Sequence, residues 1–199
     1  MRNNYPNLVI AYHGCDESVR DAVVMGQELK RSENPYDWLG NGIYFWENDE
    51  QRAMEWAVAL SKKGKIRKPS VLGAVLDLGR CLNLTERESI DVLALGYEIL
   101  LEKITENGGS MPENRNLRDD QGWLLRERDC AVIEQIHEYV RANGLPAYDS
   151  VRGLFQEGES AYPGSGFKKK THTQICVVNP NCIIGCFIPR GIDPEYPQP

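Results

Sequence analysis

The stretch Thr171-His172-Thr173-Gln174-Ile175-Cys176-Val177-Val178-Asn179-Pro180 joins a polar start to an apolar run and a turn. Its run from Ile175 to Val178 has the length and the β-branched content of a buried strand. The run from Cys182 to Ile188 is a second such strand, and Asn179-Pro180-Asn181 between them has the composition of a turn. We therefore predict that the two strands are joined by this turn as a hairpin, with Gln174 where the first strand opens.

Two more strands that carry polar or aromatic residues are predicted near the start of the chain. The apolar run from Leu8 to Tyr12 delivers the pair His13-Gly14 at its end. Another short strand begins within Leu39-Gly40-Asn41-Gly42-Ile43-Tyr44-Phe45 and extends to Trp46, after a loop rich in Asn, Pro, Asp and Gly. All three segments thus place polar or aromatic side chains on or beside a strand.

Capping residues predict two helices in the first third of the chain. Asp16 caps a helix that stops near Gly26. Asn48 followed by Gln51 resembles a capping box for a second helix, which Gly64 ends.

A pair of longer amphipathic helices is predicted between two later strands, Val71 to Leu78 and Val151 to Phe155. Thr85 opens a capping box for the first helix of this pair, and the second helix closes at Gly144. We expect this insert to pack against the sheet and to carry no chemistry. Residues 156–170 then form a long Gly-rich loop.

Length and composition indicate one α+β domain. The chain has 199 residues, of which 41% are hydrophobic and 26% are charged, and this suffices for one core. We assign residues 1–189 to the domain and residues 190–199 to a Pro-rich, extended tail. No apolar run approaches the roughly 20 residues of a membrane helix, and no secretory signal precedes the first strand. We expect a cytoplasmic protein with no membrane partner, whose cysteines are reduced thiols.

Charge and cysteine spacing narrow the choice of partners. The net charge of −6 argues against an overall electrostatic attraction to nucleic acid. The basic cluster at residues 62–68 ends a helix and is expected to be solvated, whereas Lys168-Lys169-Lys170 lies close to Gln174 in sequence. The cysteines at 176, 182 and 186 with His172 match no common zinc spacing, so we predict no metal site.

Taken in chain order, His13-Gly14, the Gly-x-Tyr-Phe of residues 42–45 and Gln174 resemble the NAD-binding triad of the ADP-ribosyltransferases. The resemblance is closest to the branch that contains the poly(ADP-ribose) polymerases and their bacterial relatives. It implies an α+β fold with a split, mostly antiparallel β core, flanking helices and a helical insert. It also implies that His13, Tyr44 and Gln174 meet in one cleft, where NAD binds as a substrate.

The resemblance gives each matching position a role. His13 would hydrogen-bond the ribose hydroxyls, and the Gly14 backbone would pair with the nicotinamide carboxamide. Tyr44 would pack against the nicotinamide ring. Trp56, one residue beyond the position of the family's second aromatic, either completes this ring sandwich or is a core residue. Arg152 either contacts the NAD diphosphate or is an ordinary surface arginine.

Gln174 is the departure from the family pattern that has the largest consequence. Many members have Glu there, whose carboxylate binds the ribose 2′-hydroxyl and counters the charge of the ribosyl cation. Glutamine keeps an acceptor oxygen but brings no charge. The resemblance therefore favours transfer of a single ADP-ribose over polymer synthesis, and it leaves Glu157, Glu159 or His172 as candidates for the acid or base.

The expected activity is mono-ADP-ribosyl transfer from NAD to a macromolecular acceptor, with His13, Tyr44 and Gln174 as the catalytic residues. The acceptor is a protein, RNA or DNA. The role is that of a bacterial toxin or antiphage effector, with an antitoxin as a further candidate partner. The alternatives are a non-catalytic NAD or ADP-ribose-binding module, an NAD glycohydrolase, and an RNA 2′-phosphotransferase of the same superfamily. The chain has no Gly-x-Gly-x-x-Gly and no P-loop, which disfavours a dehydrogenase or a nucleotide hydrolase.

Overall fold

A computed structural model of the protein describes residues 8–116 and 124–196. The helices are α1 (Glu17–Val24), α2 (Glu50–Lys62), α3 (Arg87–Glu106) and α4 (Glu127–Ala142), and a 3-10 turn covers Pro180–Cys182. The strands are β1 (Leu8–Asp16), β2 (Ile43–Glu47), β3 (Pro69–Asp77), β4 (Cys81–Asn83), β5 (Asn114–Asn116), β6 (Leu124–Arg126), β7 (Ser150–Phe155), β8 (His172–Val177) and β9 (Ile183–Phe187).

The main sheet has the strand order β4-β7-β8-β2-β1-β3-β9, and its pairs are antiparallel except for the parallel pair β4–β7. This architecture confirms the predicted α+β class. Strand β1 pairs with β3 along its whole length, from Leu8 opposite Asp77 to Asp16 opposite Pro69. It pairs with β2 only where Ala11 faces Glu47 and Tyr12 faces Trp46. Because that pairing stops after Tyr12, a gap opens in the middle of the sheet.

Helices cover both faces of the sheet. The alternation of side chains along each strand places Ala11, Phe45 and Ile175 on one face, where Val23 of α1 packs into the same core cluster. The opposite face is covered by α2 beside the gap. Farther along, α3 and α4 bury Leu100 and other apolar residues against β4, β7 and β8 on that face. The predicted insert of two helices thus packs against the sheet, as expected.

The contact between α2 and β1 depends on Gly14. A Cβ atom on Gly14 would lie 2.1 Å from the backbone oxygen of Ala53 in α2, so any side chain there would displace the helix. Packing against a helix is therefore one reason for a glycine at this position, independent of the role that the resemblance gives to its backbone. Beta-strand β1 also continues past His13 and Gly14 to Asp16, so this pair lies within a strand and not at its end.

The predicted helix starts are right for α1 and wrong for α2 and α3. The Asp16 side chain accepts a hydrogen bond from the Ser18 amide and caps α1. Helix α2 is capped by Asp49, because Asn48 adopts a positive φ of 50° as a turn residue. Helix α3 begins after Glu86 with no side-chain cap. Thr85 instead donates its hydroxyl to the side-chain oxygen of Asn83, and the same hydroxyl oxygen accepts from Arg152.

The predicted hairpin between the last two strands is wrong. Strand β8 pairs with β2 on one side and with β7 on the other, so neither of its edges is free for β9. The turn at Pro180–Cys182 carries the chain past the end of the sheet, and β9 joins the far edge beside β3. Strands β4, β5 and β6 were not predicted, because runs of three residues are too short to show a period.

Several features of the described chain bear on the expected setting of the protein. All six cysteines are free thiols. No helix among residues 8–116 and 124–196 is long and apolar enough to cross a membrane. In the predicted tail, residues 190–196 form neither helix nor strand. Residues 1–7, where we expect no secretory signal, and residues 197–199 of the tail lie outside the described residues.

We expect Gly14→Ala to lower the free energy of unfolding by about 1–3 kcal/mol, because the new methyl group overpacks the contact with Ala53. Urea denaturation measures the change. Gly185→Ala in β9 is the matched control, since its Cβ meets no atom within 4 Å, and it should change stability by less than about 0.5 kcal/mol. Equal effects of the two substitutions would contradict the packing argument.

Candidate functional site

The gap between β1 and β2 is bridged by the side chain of His13. Its Nδ1 lies 2.7 Å from the backbone oxygen of Tyr44. Because a carbonyl oxygen can only accept, Nδ1 carries the proton and donates it, and Nε2 keeps a free lone pair. Burial lowers the pKa of His13, so the ring stays neutral at physiological pH. His13 therefore offers a hydrogen-bond acceptor to a ligand.

The backbone of Gly14 faces the same gap. The Asn48 amide donates to the carbonyl of Ile10, which shows that the peptide groups of Ile10 point toward β2. In an extended strand this direction repeats every second residue, so the N–H and C=O of Tyr12 and Gly14 point the same way. Tyr12 meets β2 opposite Trp46, and the β1–β2 pairing ends there. The Gly14 peptide groups thus lie beyond the paired segment, at the edge of the gap.

The backbone oxygen of Tyr44 faces the gap, whereas its side chain is partly buried and stabilises the turn before β2. Its hydroxyl donates to the oxygen of Gly40 at 2.7 Å and accepts from the amide of Leu39 at 2.9 Å. The ring packs against the core cluster under α3 and α4, and burial raises the pKa of the phenol well above its usual value. The neutral side chain therefore fixes the turn before β2, while the Tyr44 carbonyl orients His13.

The side chain of Gln174 on β8 is oriented by a hydrogen bond to His172, two residues earlier on the same strand. The His172 Nδ1 donates to the oxygen of Lys170 at 2.7 Å, so its Nε2 is the acceptor. The side-chain nitrogen of Gln174 donates to that Nε2 at 3.1 Å. Burial lowers the pKa of His172 and keeps it neutral. The amide orientation of Gln174 is thereby set, and its Oε1 remains an acceptor for another donor.

The side chains of the predicted triad lie on two different faces of the sheet. The ring of His13 lies 5.7 Å from the ring of Phe45, on the face that α1 covers. Tyr44 and Gln174 point to the other face, where Gln174 stands opposite Trp46 on β2. No hydrogen bond joins His13 and Gln174 in the described part of the chain. His13 reaches across the gap to the backbone oxygen of Tyr44. Gln174 lies on the opposite face of the sheet from the His13 side chain.

Trp46 is a site residue that the sequence analysis did not single out. Its ring is buried between Trp56, at a centroid distance of 6.0 Å, and His172, at 6.4 Å. Its Nε1 is buried without a hydrogen-bond partner among the described residues. Trp56 thus stacks near Trp46 and packs with Ala53 of α2, in the core role that we gave as its alternative. The sequence signal that could have identified Trp46 is its position two residues after Tyr44, which places both side chains on the same face of a strand.

Arg52 and Glu157 form an ion pair beside Gln174. The Nη2 of Arg52 lies 2.7 Å from Oε2 of Glu157, and its Nη1 lies 3.1 Å from Glu55. Glu157 Oε2 is also 4.0 Å from Nδ1 of His172. Arg52 was not predicted, because one arginine in a helix has no sequence signature. Of Glu157 and Glu159, the two loop carboxylates that we considered, Glu157 is the one that lies beside His172.

The other charged candidates have partners elsewhere. Glu159 is 84% exposed in its side chain and pairs with Lys169 at 3.0 Å. Lys170 lies 3.7 Å from Glu55, and Lys168 donates to Ser160. The cluster of three lysines is therefore engaged within its own loop and with α2.

Arg152 acts as an internal clamp. Its Nε and Nη2 donate to the two carboxylate oxygens of Glu47 at 2.6 and 3.0 Å. Its Nη1 lies 3.2 Å from both Asn83 and Thr85. A contact with the NAD diphosphate, the role that the resemblance suggested, would compete with these bonds.

No group of three or more His, Cys, Asp or Glu side chains in the described ranges could hold a metal ion.

Two open cavities lie away from the gap. One of about 340 Å³ borders α4 and includes Glu33, Pro112 and Glu134 in its walls. The other, of about 240 Å³, lies between α3 and α4 at Tyr97 and Val132. Neither includes a residue of the predicted triad.

Stability should fall as the pH drops from 7.5 to 5.5. Burial lowers the pKa of His13, His137 and His172 in the folded state. Below about pH 6.5 the unfolded chain binds protons that the folded chain does not, so each histidine costs up to about 1.4 kcal/mol per pH unit. Urea denaturation at three pH values measures the slope. His137→Asn, away from the gap, should reduce the slope, and a flat profile for the unmodified protein would contradict the buried neutral histidines.

The clamp between Arg152 and Glu47 should be detectable as a coupling energy. Each side chain is about four-fifths buried and the pair is bidentate. A double-mutant cycle with Arg152→Ala and Glu47→Ala should give a coupling of about 1–2 kcal/mol in the free energy of unfolding. Additive effects would show that the clamp does not stabilise the sheet.

Comparison with known proteins gives one relative and no family. The chain is similar to an uncharacterized protein of Methanocaldococcus jannaschii, with 25% identity over 193 residues that cover 86% of this chain and 83% of that protein. No protein family matches the chain. No solved structure matches it.

Proposed function

We propose that the protein is a mono-ADP-ribosyltransferase of the poly(ADP-ribose) polymerase-like branch, which uses NAD as a substrate and releases nicotinamide. The observation that carries the proposal is the gap in the sheet after Tyr12. At this gap a neutral His13 presents a free Nε2 and the Gly14 backbone presents a donor and an acceptor. These groups stand in the chain order that led us to the family.

The Gly14 peptide groups suit the leaving group of NAD. A carboxamide has one acceptor oxygen and a donor nitrogen, and an unpaired strand edge offers an N–H and a C=O in matching positions. Recognition by an unpaired strand edge needs no side chain, so it agrees with the glycine that the contact with Ala53 also demands. Nicotinamide bound there would place its ring near the aromatic group around Trp46.

The two neutral acceptors suit the ribose. Its hydroxyls are donors, and both His13 Nε2 and Gln174 Oε1 are acceptors whose orientation is set by a backbone carbonyl, directly or through His172. Fixed acceptors lower the cost of orienting the sugar. In this proposal the ribose lies in the gap after Tyr12, where His13 Nε2 approaches it from the face that α1 covers and Gln174 Oε1 from the opposite face. The Tyr44 carbonyl holds His13 in the tautomer that leaves Nε2 as an acceptor.

The reaction ends at one ADP-ribose, because Gln174 cannot deprotonate a ribose hydroxyl for chain extension. The acceptor is a macromolecule, a protein, RNA or DNA, and the cytoplasm is the compartment that would supply NAD. A toxin or antiphage effector held in check by an antitoxin fits a small enzyme that modifies macromolecules. These assignments belong to the same proposal.

A binding module for NAD or ADP-ribose is the second candidate. The observation that favours it is the neutral amide of Gln174, which brings no charge to a ribosyl cation. Such a module would use the same acceptors without breaking the bond between ribose and nicotinamide.

We expect Gln174→Ala to reduce nicotinamide release from NAD by about 100-fold or more, because the fixed acceptor for the ribose is lost. NAD binding should weaken only partly, since His13 and Gly14 remain. Release is measured by chromatography with purified protein alone and with protein, RNA or DNA fractions from a lysate. Gln51→Ala, an exposed glutamine on α2, is the matched control and should behave like the unmodified protein.

The fractions separate the candidate functions. Release that depends on one fraction supports transfer and identifies the acceptor class, whereas release without any acceptor points to a glycohydrolase. NAD binding with no release under any condition would replace the enzyme by the binding module. Release that is unchanged in Gln174→Ala would remove Gln174 from the mechanism.

A further inference from the structure

We propose that Glu157 is a catalytic carboxylate that supplies the negative charge missing at Gln174. This inference rests on the proposed function and assigns to that reaction a residue outside the triad. Glu157 belongs to the loop between β7 and β8, and Arg52 of α2 holds it in place.

Glu157 is connected to Gln174 through a short chain of contacts. Its Oε2 lies 4.0 Å from Nδ1 of His172, whose Nε2 accepts the side chain of Gln174 at 3.1 Å. That oxygen also accepts from Arg52 at 2.7 Å. No bond within the described chain engages the other oxygen, Oε1, which is thus available to face a ligand. Glu157 is paired with the Arg52 guanidinium, and it would act on a ligand through its charge.

The loop that carries Glu157 is held by backbone hydrogen bonds. The Lys170 amide donates to the oxygen of Glu157 at 3.0 Å, and the Lys169 amide donates to the oxygen of Glu159 at 2.9 Å. An isolated bridge between Ser160 and Lys168 continues this ladder. The two ends of the loop are therefore joined by backbone hydrogen bonds, and Glu157 lies where they begin beside β8. A carboxylate on such a support keeps a fixed position, as charge stabilisation requires.

Other carboxylates near Gln174 are less suited to this role. Glu47 follows Trp46 on β2 and so points to the opposite face from Gln174, and both of its oxygens accept from Arg152. Glu55 shares Arg52 but also meets Lys170 and is 38% exposed in its side chain, against 19% for Glu157. Glu159 points to solvent and pairs with Lys169.

The proposed step needs no reactant besides NAD and the acceptor. The bond between ribose C1′ and the nicotinamide nitrogen breaks, and its electron pair neutralises the pyridinium. The positive charge develops at C1′, where the Glu157 carboxylate stabilises it. The nucleophilic atom of the acceptor then bonds to C1′, and its proton passes to water. Glu157 exchanges no atom in this sequence.

Single-turnover nicotinamide release by Glu157→Gln tests the inference. Glutamine keeps an oxygen for the hydrogen bond from Arg52 and removes only the charge, so the loop should stay in place. We expect the rate to fall by about 100-fold or more, with the affinity for NAD unchanged. Glu159→Gln is the matched control and should stay within about threefold, since this carboxylate is exposed and pairs with Lys169 on the same loop.

A second variant separates charge from structure. Glu157→Asp keeps a carboxylate at the same position of the loop, and its release rate should stay at least about tenfold above that of Glu157→Gln. An unchanged rate in Glu157→Gln, or equal rates in folded Glu157→Asp and Glu157→Gln, would overturn the role of Glu157 and leave the proposed function standing. No release by the unmodified protein with any acceptor fraction would overturn both.

Discussion

The arrangement of this protein depends on one hydrogen bond, from His13 Nδ1 to the carbonyl of Tyr44. In a continuous antiparallel sheet that carbonyl would accept from the backbone of the neighbouring strand. Here a side chain takes the bond, and β1 separates from β2 after Tyr12 without leaving the Tyr44 carbonyl unsatisfied. The same bond sets the tautomer of His13, so the opening in the sheet and the chemistry offered there have a single origin.

Helix α2 connects this opening to the groups around Gln174. Its backbone lies against β1 at Gly14, where no side chain fits, and its first turn carries Arg52 toward the loop before β8. The position of Arg52 is therefore set by a glycine on a different element. One helix thus contacts Gly14 through its backbone and Glu157 through Arg52, although the two residues are far apart in sequence.

Much of this architecture could be predicted from the sequence, and the misses share physical causes. Apolar runs of four or more residues and the Asp16 cap identified strands and the first helix, because these signals are local. The partner of β9 could not be predicted, since it depends on β8 being paired on both edges. The positions of Trp46 and Arg52 at the site also escaped prediction. Each is an ordinary core or helix residue until the fold brings it beside His172.

Both histidines at the site have their only ring proton committed to a backbone carbonyl. With burial holding each ring neutral, neither can hand a proton to a departing group at physiological pH. Ordinary glycosides leave as alkoxides and require such a proton, whereas a pyridinium departs as a neutral molecule and does not. In the proposed reaction the bond can therefore be cleaved without an acid, because a sugar joined to a cationic heterocycle releases a neutral leaving group.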